Sequence, residues 1–344
     1  MAGGNLLPNV GDFYEDEFRI IKGYAQYTNF FGGVVLLSGY GNDNAFLSTD
    51  TGNNWMQGPS TTQGGIAEVC YGSNVNRYVS VGWLNPTSDP SVRGNAMYSN
   101  DGYDWTETTI PAGKWCAVAA TKKPISGKGS SLPQFMATSV DGLITTSTDG
   151  IFWTDPVSPI GYANLRSVTH NGGVWCVCVY YSSTILTSID GVDWTTNSVP
   201  DSLSWTSIAS HGTTLAMIAQ NSDQVVLSLD DGSSWTSVTL PFSSNWRTIA
   251  GNENSLVVTA YNGGESLVSF DKGLTWTEVA IPKRYTANIP GPYSMQVKDG
   301  VYYGIPYNTE SGNGVMLSST DDGRSWQWHD LPITDYWFNK PWDD

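Results

Sequence analysis

Basic residues are scarce in this chain. Lys and Arg number 16 against 32 Asp and Glu in 344 residues, a net charge of −16. Such a chain repels phosphate backbones and anionic bilayers, which excludes nucleic acid as a partner and argues against membrane-surface binding. Apolar runs stay short, Val34-Val35-Leu36-Leu37 being typical, so no membrane span is expected. Met1–Asn5 carries neither a basic nor an apolar leader region, and no ordinary secretion signal is expected. Cysteine is limited to Cys70, Cys116, Cys176 and Cys178, with no CxxC pair or zinc-type Cys/His cluster. The reading is core thiols in a chain made in a reducing cytoplasm, with no metal and no cofactor. Histidine occurs only at 170, 211 and 329, too few and too scattered for a nucleophilic triad motif.

Aromatics, by contrast, reach 12% of the chain, with 15 Trp and 18 Tyr. A disordered chain does not have that composition. Many of the Trp belong to one recurring phrase. It reads Ser48-Thr-Asp50-Thr-Gly52-Asn-Asn-Trp55, Ser99-Asn-Asp101-Gly102-Tyr-Asp-Trp105, Ser147-Thr-Asp149-Gly150-Ile-Phe-Trp153 and Ser188-Ile-Asp190-Gly191-Val-Asp-Trp194. It continues as Ser228-Leu-Asp230-Asp-Gly232-Ser-Ser-Trp235, Ser269-Phe-Asp271-Lys-Gly273-Leu-Thr-Trp276 and Ser319-Thr-Asp321-Asp-Gly323-Arg-Ser-Trp326. The seven Trp lie 50, 48, 41, 41, 41 and 50 residues apart, so the repeat takes up nearly the whole chain. Asp-Gly and Asp-x-Gly are turn signals, because glycine accepts a positive φ and the carboxylate accepts turn amides. The Ser can tie the hairpin, and the Trp can cover it with a large apolar face.

Between the phrases, each unit holds four short β-rich runs parted by turn residues, as in Trp205–Ser210, Thr214–Ala219, Gln224–Ser228 and Trp235–Leu240. Four strands per 40–50 residues predict propeller blades. The expected fold is all-β: a seven-bladed β-propeller with four antiparallel strands per blade, occupying 18–332. An N-terminal arm (1–17) and an aromatic C-terminal tail (333–344) flank it.

The phrase resembles the Asp-box, or bacterial neuraminidase repeat, of sialidase-type propellers. Four copies keep the S-x-D-x-G-x-x-W spacing, and the second to fourth lack one residue between Asp and Gly. The resemblance implies that the motif sits on the hairpin between third and fourth strands, away from the family's active site. Asp50, Asp101, Asp149, Asp190, Asp230, Asp271 and Asp321, with Trp55, Trp105, Trp153, Trp194, Trp235, Trp276 and Trp326, are then structural.

A sialidase needs an arginine cluster, a nucleophilic Tyr with a Glu, and an acid. Phe18-Arg19-Ile20-Ile21 is only faintly similar to the family's opening and lacks its proline. Arg166 and Arg247 occupy matching first-strand positions, and Glu68 lies on another first strand; the plain reading is a solvated or paired channel wall. The better surface for a partner or glycan is the aromatic mouth opposite the motifs, with Trp83, Trp115, Tyr181, Trp205, Trp246, Tyr261 and Tyr307 as its candidates. Two loops exceed the repeat, 82–94 and 121–134, the second carrying Lys122, Lys123 and Lys128.

The chain's style is similar to virion proteins of tailed bacteriophages. The expectation is a non-enzymatic structural or adhesion component of a phage particle, in a tail, decoration or fibre-attached role. It is made in the host cytoplasm and works through contacts with other virion proteins. The alternatives are a glycan-binding propeller that meets cell-surface sugars and, further off, a sialidase-like glycoside hydrolase.

Overall fold

The computed structural model describes residues 18–21, 24–27, 35–38, 45–48, 50, 54–57, 66–83, 94–122, 132–260, 264–283, 291–306 and 315–331. The proposed arm, the proposed tail and most of both long loops lie outside these residues. Among the described residues every regular element is a strand.

β1 (Phe18–Ile21) and β2 (Tyr24–Tyr27) pair as a hairpin, and β3 (Val35–Ser38), β4 (Ala45–Ser48) and β5 (Met56–Gln57) form a small sheet. Four-stranded sheets follow in β6 (Ile66–Gly72), β7 (Arg77–Trp83), β8 (Gly94–Ser99) and β9 (Thr106–Thr108), and again in β13 (Leu165–His170), β14 (Trp175–Val179), β15 (Ser182–Ser188) and β16 (Thr195–Leu203). Between them, β10 (Trp115–Ala120), β11 (Phe135–Ser139) and β12 (Ile144–Ser147) make a three-stranded sheet, with the Ile144–Val157 bridge in the place of a fourth strand. The next sheet contains β17 (Trp205–His211), β18 (Thr214–Ser228), β19 (Thr236–Gly251), β20 (Leu256–Ala260), β21 (Glu265–Ser269) and β22 (Thr277–Ala280). The last holds β23 (Pro292–Lys298), β24 (Val301–Pro306), β25 (Val315–Ser319) and β26 (Gln327–Asp330).

The fold is an all-β propeller of five blades, and this corrects the expected seven: the five are β6–β9, β10–β12, β13–β16, β17–β22 and β23–β26. Three of them have the expected four antiparallel strands. Two repeats share one six-stranded blade because β18 and β19 are continuous across the join. Their ladder, interrupted by bulges, runs from Leu227–Thr236 to Gln220–Asn245. The ring closes from β23 onto β6, where the Gln296 amide donates to the Val69 carbonyl at 3.3 Å and the Lys298 ammonium lies 4.6 Å from the Tyr71 ring centre. The first copy of the phrase belongs to the small β3–β5 sheet, whose Leu47 packs with Val69 and Tyr78.

First strands run along the axis and second strands behind them, so both faces are covered. Trp175–Val179 and Leu256–Ala260 are buried along their full length. Clusters then span neighbouring sheets: Met136, Val177 and Leu186 pack together, as do Cys178, Trp205 and Met217. Each buried Leu, Ile or Met side chain contributes about 1.5–3 kcal/mol by leaving water.

Five inner strands carry a bulge one residue after they start, at Ala67, Cys116, Arg166, Thr206 and Tyr293, and the long β19 carries the matching one at Arg247, just past Trp246. The extra residue bends the strand and sharpens its twist, as expected where strands crowd around an axis.

Candidate functional site

Two ends of the ring are built differently, and the seven turns make up one of them. In every turn the Ser hydroxyl donates to the Asp carboxylate at 2.8–3.2 Å. In the second to seventh, the glycine N–H donates back to the Ser oxygen at 2.7–2.9 Å. The N–H of the residue before each Trp also reaches the carboxylate, at 2.8–2.9 Å. Trp105, Trp235 and Trp276 close their own turns through indole N–H bonds to the glycine carbonyl.

The glycine is required twice over. Gly150 has φ 77°, and a Cβ there would lie 2.4 Å from Val79 of the preceding blade; Gly323, at φ 86°, would meet Val257 at 2.4 Å. These two turns are therefore pressed into the sheet before them. Asn171 and Asn252, in the hairpins after first strands, add cross-blade bonds to Asp231 and Asp322 at 2.6 and 2.9 Å. The carboxylates of Asp230, Asp271 and Asp321 accept at both oxygens. The Asp271 and Asp321 carboxyls are held below the usual value because hydrogen bonds outweigh the burial that would raise them. At Asp230 the bonds from Ser234 act in the same direction.

At the opposite end, the bulge at Arg166 places its guanidinium 5.4 Å from the Tyr180 ring centre. Gln220 of the next unit donates to the Tyr180 hydroxyl at 3.1 Å. Tyr181 stands edge-on to Tyr180, with ring centres 4.3 Å apart, at a positive φ of 53° and 68% exposed. This cluster is the described part of the aromatic mouth.

Other sequence candidates fall elsewhere. Trp115, Trp205 and Trp246 are fully buried, which corrects their reading as a partner surface. The rings of Trp115 and Trp205 fill the space between neighbouring blades, that of Trp246 packs inside the six-stranded blade, and the indoles of Trp115 and Trp205 donate to the Pro111 and Ser182 carbonyls. Trp83 ends β7, but its side chain is outside the described residues, as are Tyr261 and Tyr307.

Glu68 is held as part of the wall. The Val118 N–H of the next blade donates to its carboxylate at 2.8 Å, the same place where Ser167 and Ser207 accept from Ile208 and Ile249 at 3.3 Å. Burial pushes its carboxyl up to about 7 despite that bond. All four cysteines are free thiols; burial raises Cys116 and Cys178 to about 12, so neither is a ready nucleophile.

Lys122 turns inward, donating to the Ser210 hydroxyl at 2.6 Å and carbonyl at 3.2 Å. Burial lowers its ammonium to about 8. Beside it, burial first and the Lys122 charge second lower His170 to about 4, leaving a neutral imidazole. The Nδ1 of His170 accepts from Gly172 at 3.1 Å. Among the described residues, no group of three or more His, Cys, Asp or Glu is placed to hold a metal, and no helix is long and apolar enough to cross a membrane.

Sequence reasoning missed the apolar side chains on the turns. Phe152 (78%), Ile189 (67%), Val192 (66%), Leu229 (58%), Leu274 (54%) and Phe270 (44%) are exposed on four successive copies of the phrase. The signal was present, since these are the variable positions of a solvent-facing turn and polar residues would suffice there.

Residues 148–292 match the model of the DUF6242 beta propeller domain. No curated protein matches the chain. Solved structures agree on the fold alone. A putative 6-phosphogluconolactonase from Bacteroides uniformis has a TM-score of 0.63 at 11% identity, over 88% of this chain and 96% of that one. A catalytically inactive virginiamycin B lyase from Staphylococcus aureus, with quinupristin, has 0.59 at 14%, over 87% and 88%. YCF48 bound to D1 peptide has 0.52 at 18%, over 72% and 77%. The scaffold is a propeller shared by proteins of unrelated activity, so function must be argued from the chain's own surface.

Proposed function

We propose that this chain is a non-enzymatic structural or adhesion component of a bacteriophage particle, acting through protein–protein contacts. In this reading the protein is made in the host cytoplasm, and its finer kinship is with Asp-box propellers. The observation that carries the reading is the row of six exposed apolar side chains on four successive turns. A rigid ring that presents apolar groups on successive turns of one end suits docking onto another protein. The polar groups of the wall support a non-catalytic role: Glu68 is spent on the neighbouring blade, and Lys122 reaches past the β13–β16 blade to Ser210. That a related scaffold, YCF48, is known with a bound peptide adds support for a protein ligand. Mass spectrometry of gradient-purified particles is the test. Stoichiometric recovery of this chain is the expected result, and its absence from intact particles overturns the reading.

A second reading, glycan binding at the mouth, is favoured by one specific arrangement. The exposed Tyr181, with Tyr180, Arg166 and Gln220 behind it, offers a stacking face beside hydrogen-bonding groups. A glycan array with hits lost in Tyr181→Ala supports it, and an array without hits removes it.

A further inference from the structure

The third and fourth turns do not meet flush. Between them lies a cleft of 480 Å³, lined by Leu132, Pro133, Phe152, Trp153, Asp190 and Val192, among others. That volume lies within the range of sites that take a small ligand or a single large side chain. Its walls combine these apolar and aromatic side chains with Thr146, Ser147, Thr148 and Thr154, one carboxylate lies at the rim, and the two turns framing it carry Asp149, Asp190 and Asp193. The Asp149 carboxyl is held below the ordinary value by the Ile151, Phe152 and Ser147 bonds and the nearby Arg77, which outweigh its burial, so it is ionised at neutral pH.

The same surface already shows which chemistry it accepts. On the sixth and seventh turns, the Arg324 guanidinium lies 4.1 Å from the centre of the Phe270 ring and 3.3 Å from the Asp322 carboxylate. Phe270 stands three residues before Gly273 and Phe152 two residues after Gly150, so the two rings differ in position within their turns. Phe270 is 44% exposed with that cation over it, and Phe152 is 78% exposed.

We propose that the cleft between the third and fourth turns docks an arginine-bearing apolar segment of a partner protein. The guanidinium stacks on Phe152 beside the rim carboxylates, and the flanking apolar side chains cover Val192, Leu132 and Pro133. An anionic partner is disfavoured by the charge of the turns, and a guanidinium adds a cation–π contact to the exposed Phe152 ring that a purely apolar side chain does not. This inference rests on the protein-docking role proposed above and names the chemistry of the partner.

The test is an NMR titration of the full chain with acetyl-Leu-Arg-Leu-amide and, in parallel, acetyl-Leu-Glu-Leu-amide. The arginine peptide is expected to shift the Val192 and Leu132 methyl signals and the Phe152 ring signals, and the glutamate peptide to leave them in place. Phe152→Leu, which keeps the apolar area but removes the π face, is expected to weaken binding by about three- to tenfold, and Phe152→Tyr to restore it. Equal response to both peptides, shifts confined to other regions, or a Phe152→Leu protein that binds as well as the parent overturns the proposal. Phe152 is so exposed that none of these variants threatens the fold. Particles that assemble normally with Phe152→Leu overturn the cleft while the structural role stands. Peptide binding by a chain absent from particles overturns the structural role and leaves the cleft.

Discussion

In the sixth turn the Thr275 hydroxyl closes on the second oxygen of Asp271 at 2.6 Å. In the third turn, one residue shorter, the matching position before the Trp is Phe152, whose ring points into solvent. Long turns place Asn54, Ser234, Thr275 or Ser325 there, and each donates to the second carboxylate oxygen at 2.5–2.7 Å. Short turns place Asp104, Phe152 or Asp193, which bring no hydroxyl or amide to that oxygen. The Ser hydroxyl bond is common to both kinds, while the short turns give the carboxylate a second backbone N–H, from Tyr103, Ile151 or Val192 at 2.8–2.9 Å. The difference teaches that the clasp between blades resides in Ser, Asp and Gly, while the outer residue is free to serve another purpose.

The largest expected effect tests whether the clasp is truly common to both kinds. Gly150→Ala in a short turn and Gly323→Ala in a long one should each cost about 2–5 kcal/mol, from a positive φ and a Cβ driven into valine. Urea unfolding measures both, and a large cost in only one kind breaks the comparison.

The next effect separates the rim from the wall by the sign of its pH dependence. Burial raises Glu68 to about 7, so between pH 4.5 and 7 the folded chain keeps a proton that the unfolded chain has released. Stability from this group therefore falls as pH rises through that window, on the order of 2 kcal/mol. The carboxyls of Asp149, Asp271 and Asp321 are lowered in the fold. Their contribution is intact above the unfolded value, about 3.9, and is lost as pH falls through the folded one. Thermal unfolding of Glu68→Gln should match the parent near pH 4.5 and exceed it at pH 8. A difference that does not change with pH contradicts the assignment.

Removing the Ser sharpens the comparison further. Ser188→Ala in the short fourth turn and Ser269→Ala in the long sixth turn should each lose about 1–3 kcal/mol, read from urea midpoints. The two losses should be similar, since Asp190 keeps the Val192 and Asp193 N–H bonds and Asp271 keeps the Thr275 N–H and hydroxyl. Thr275→Val should then cost about 0.5–1.5 kcal/mol by the same measurement. Smallest of all, Phe152→Ser should leave stability within about 0.5 kcal/mol, as an exposed side chain with no structural partner.

The turns were legible in the sequence because their chemistry demands particular residue types: a hydroxyl two before a carboxylate, then a residue that tolerates positive φ. The propeller followed from the period. The number of blades did not, because counting phrases counts turns and not sheets. The join that merges two repeats runs through Pro241-Phe-Ser-Ser-Asn245, and nothing in those residue types announces a continuous ladder. The bulges were equally silent, since Ala67, Cys116, Arg166, Thr206, Arg247 and Tyr293 share a backbone position but no side-chain chemistry. Trp115, Trp205 and Trp246 misled for a physical reason: an indole at the start of an inner strand serves blade packing or a rim equally well, and only the neighbouring blade decides. The cleft at Phe152 was hidden because it forms between two turns 38 residues apart in sequence, Phe152 to Asp190.

The arrangement of the ring is tested most directly by a diffraction structure with side-chain detail around Val69 and Gln296. The account predicts five blades, with β17–β22 continuous and the Gln296 amide on the Val69 carbonyl. A complete four-stranded blade standing between β23 and β6, or two separate sheets in place of β17–β22, would contradict it.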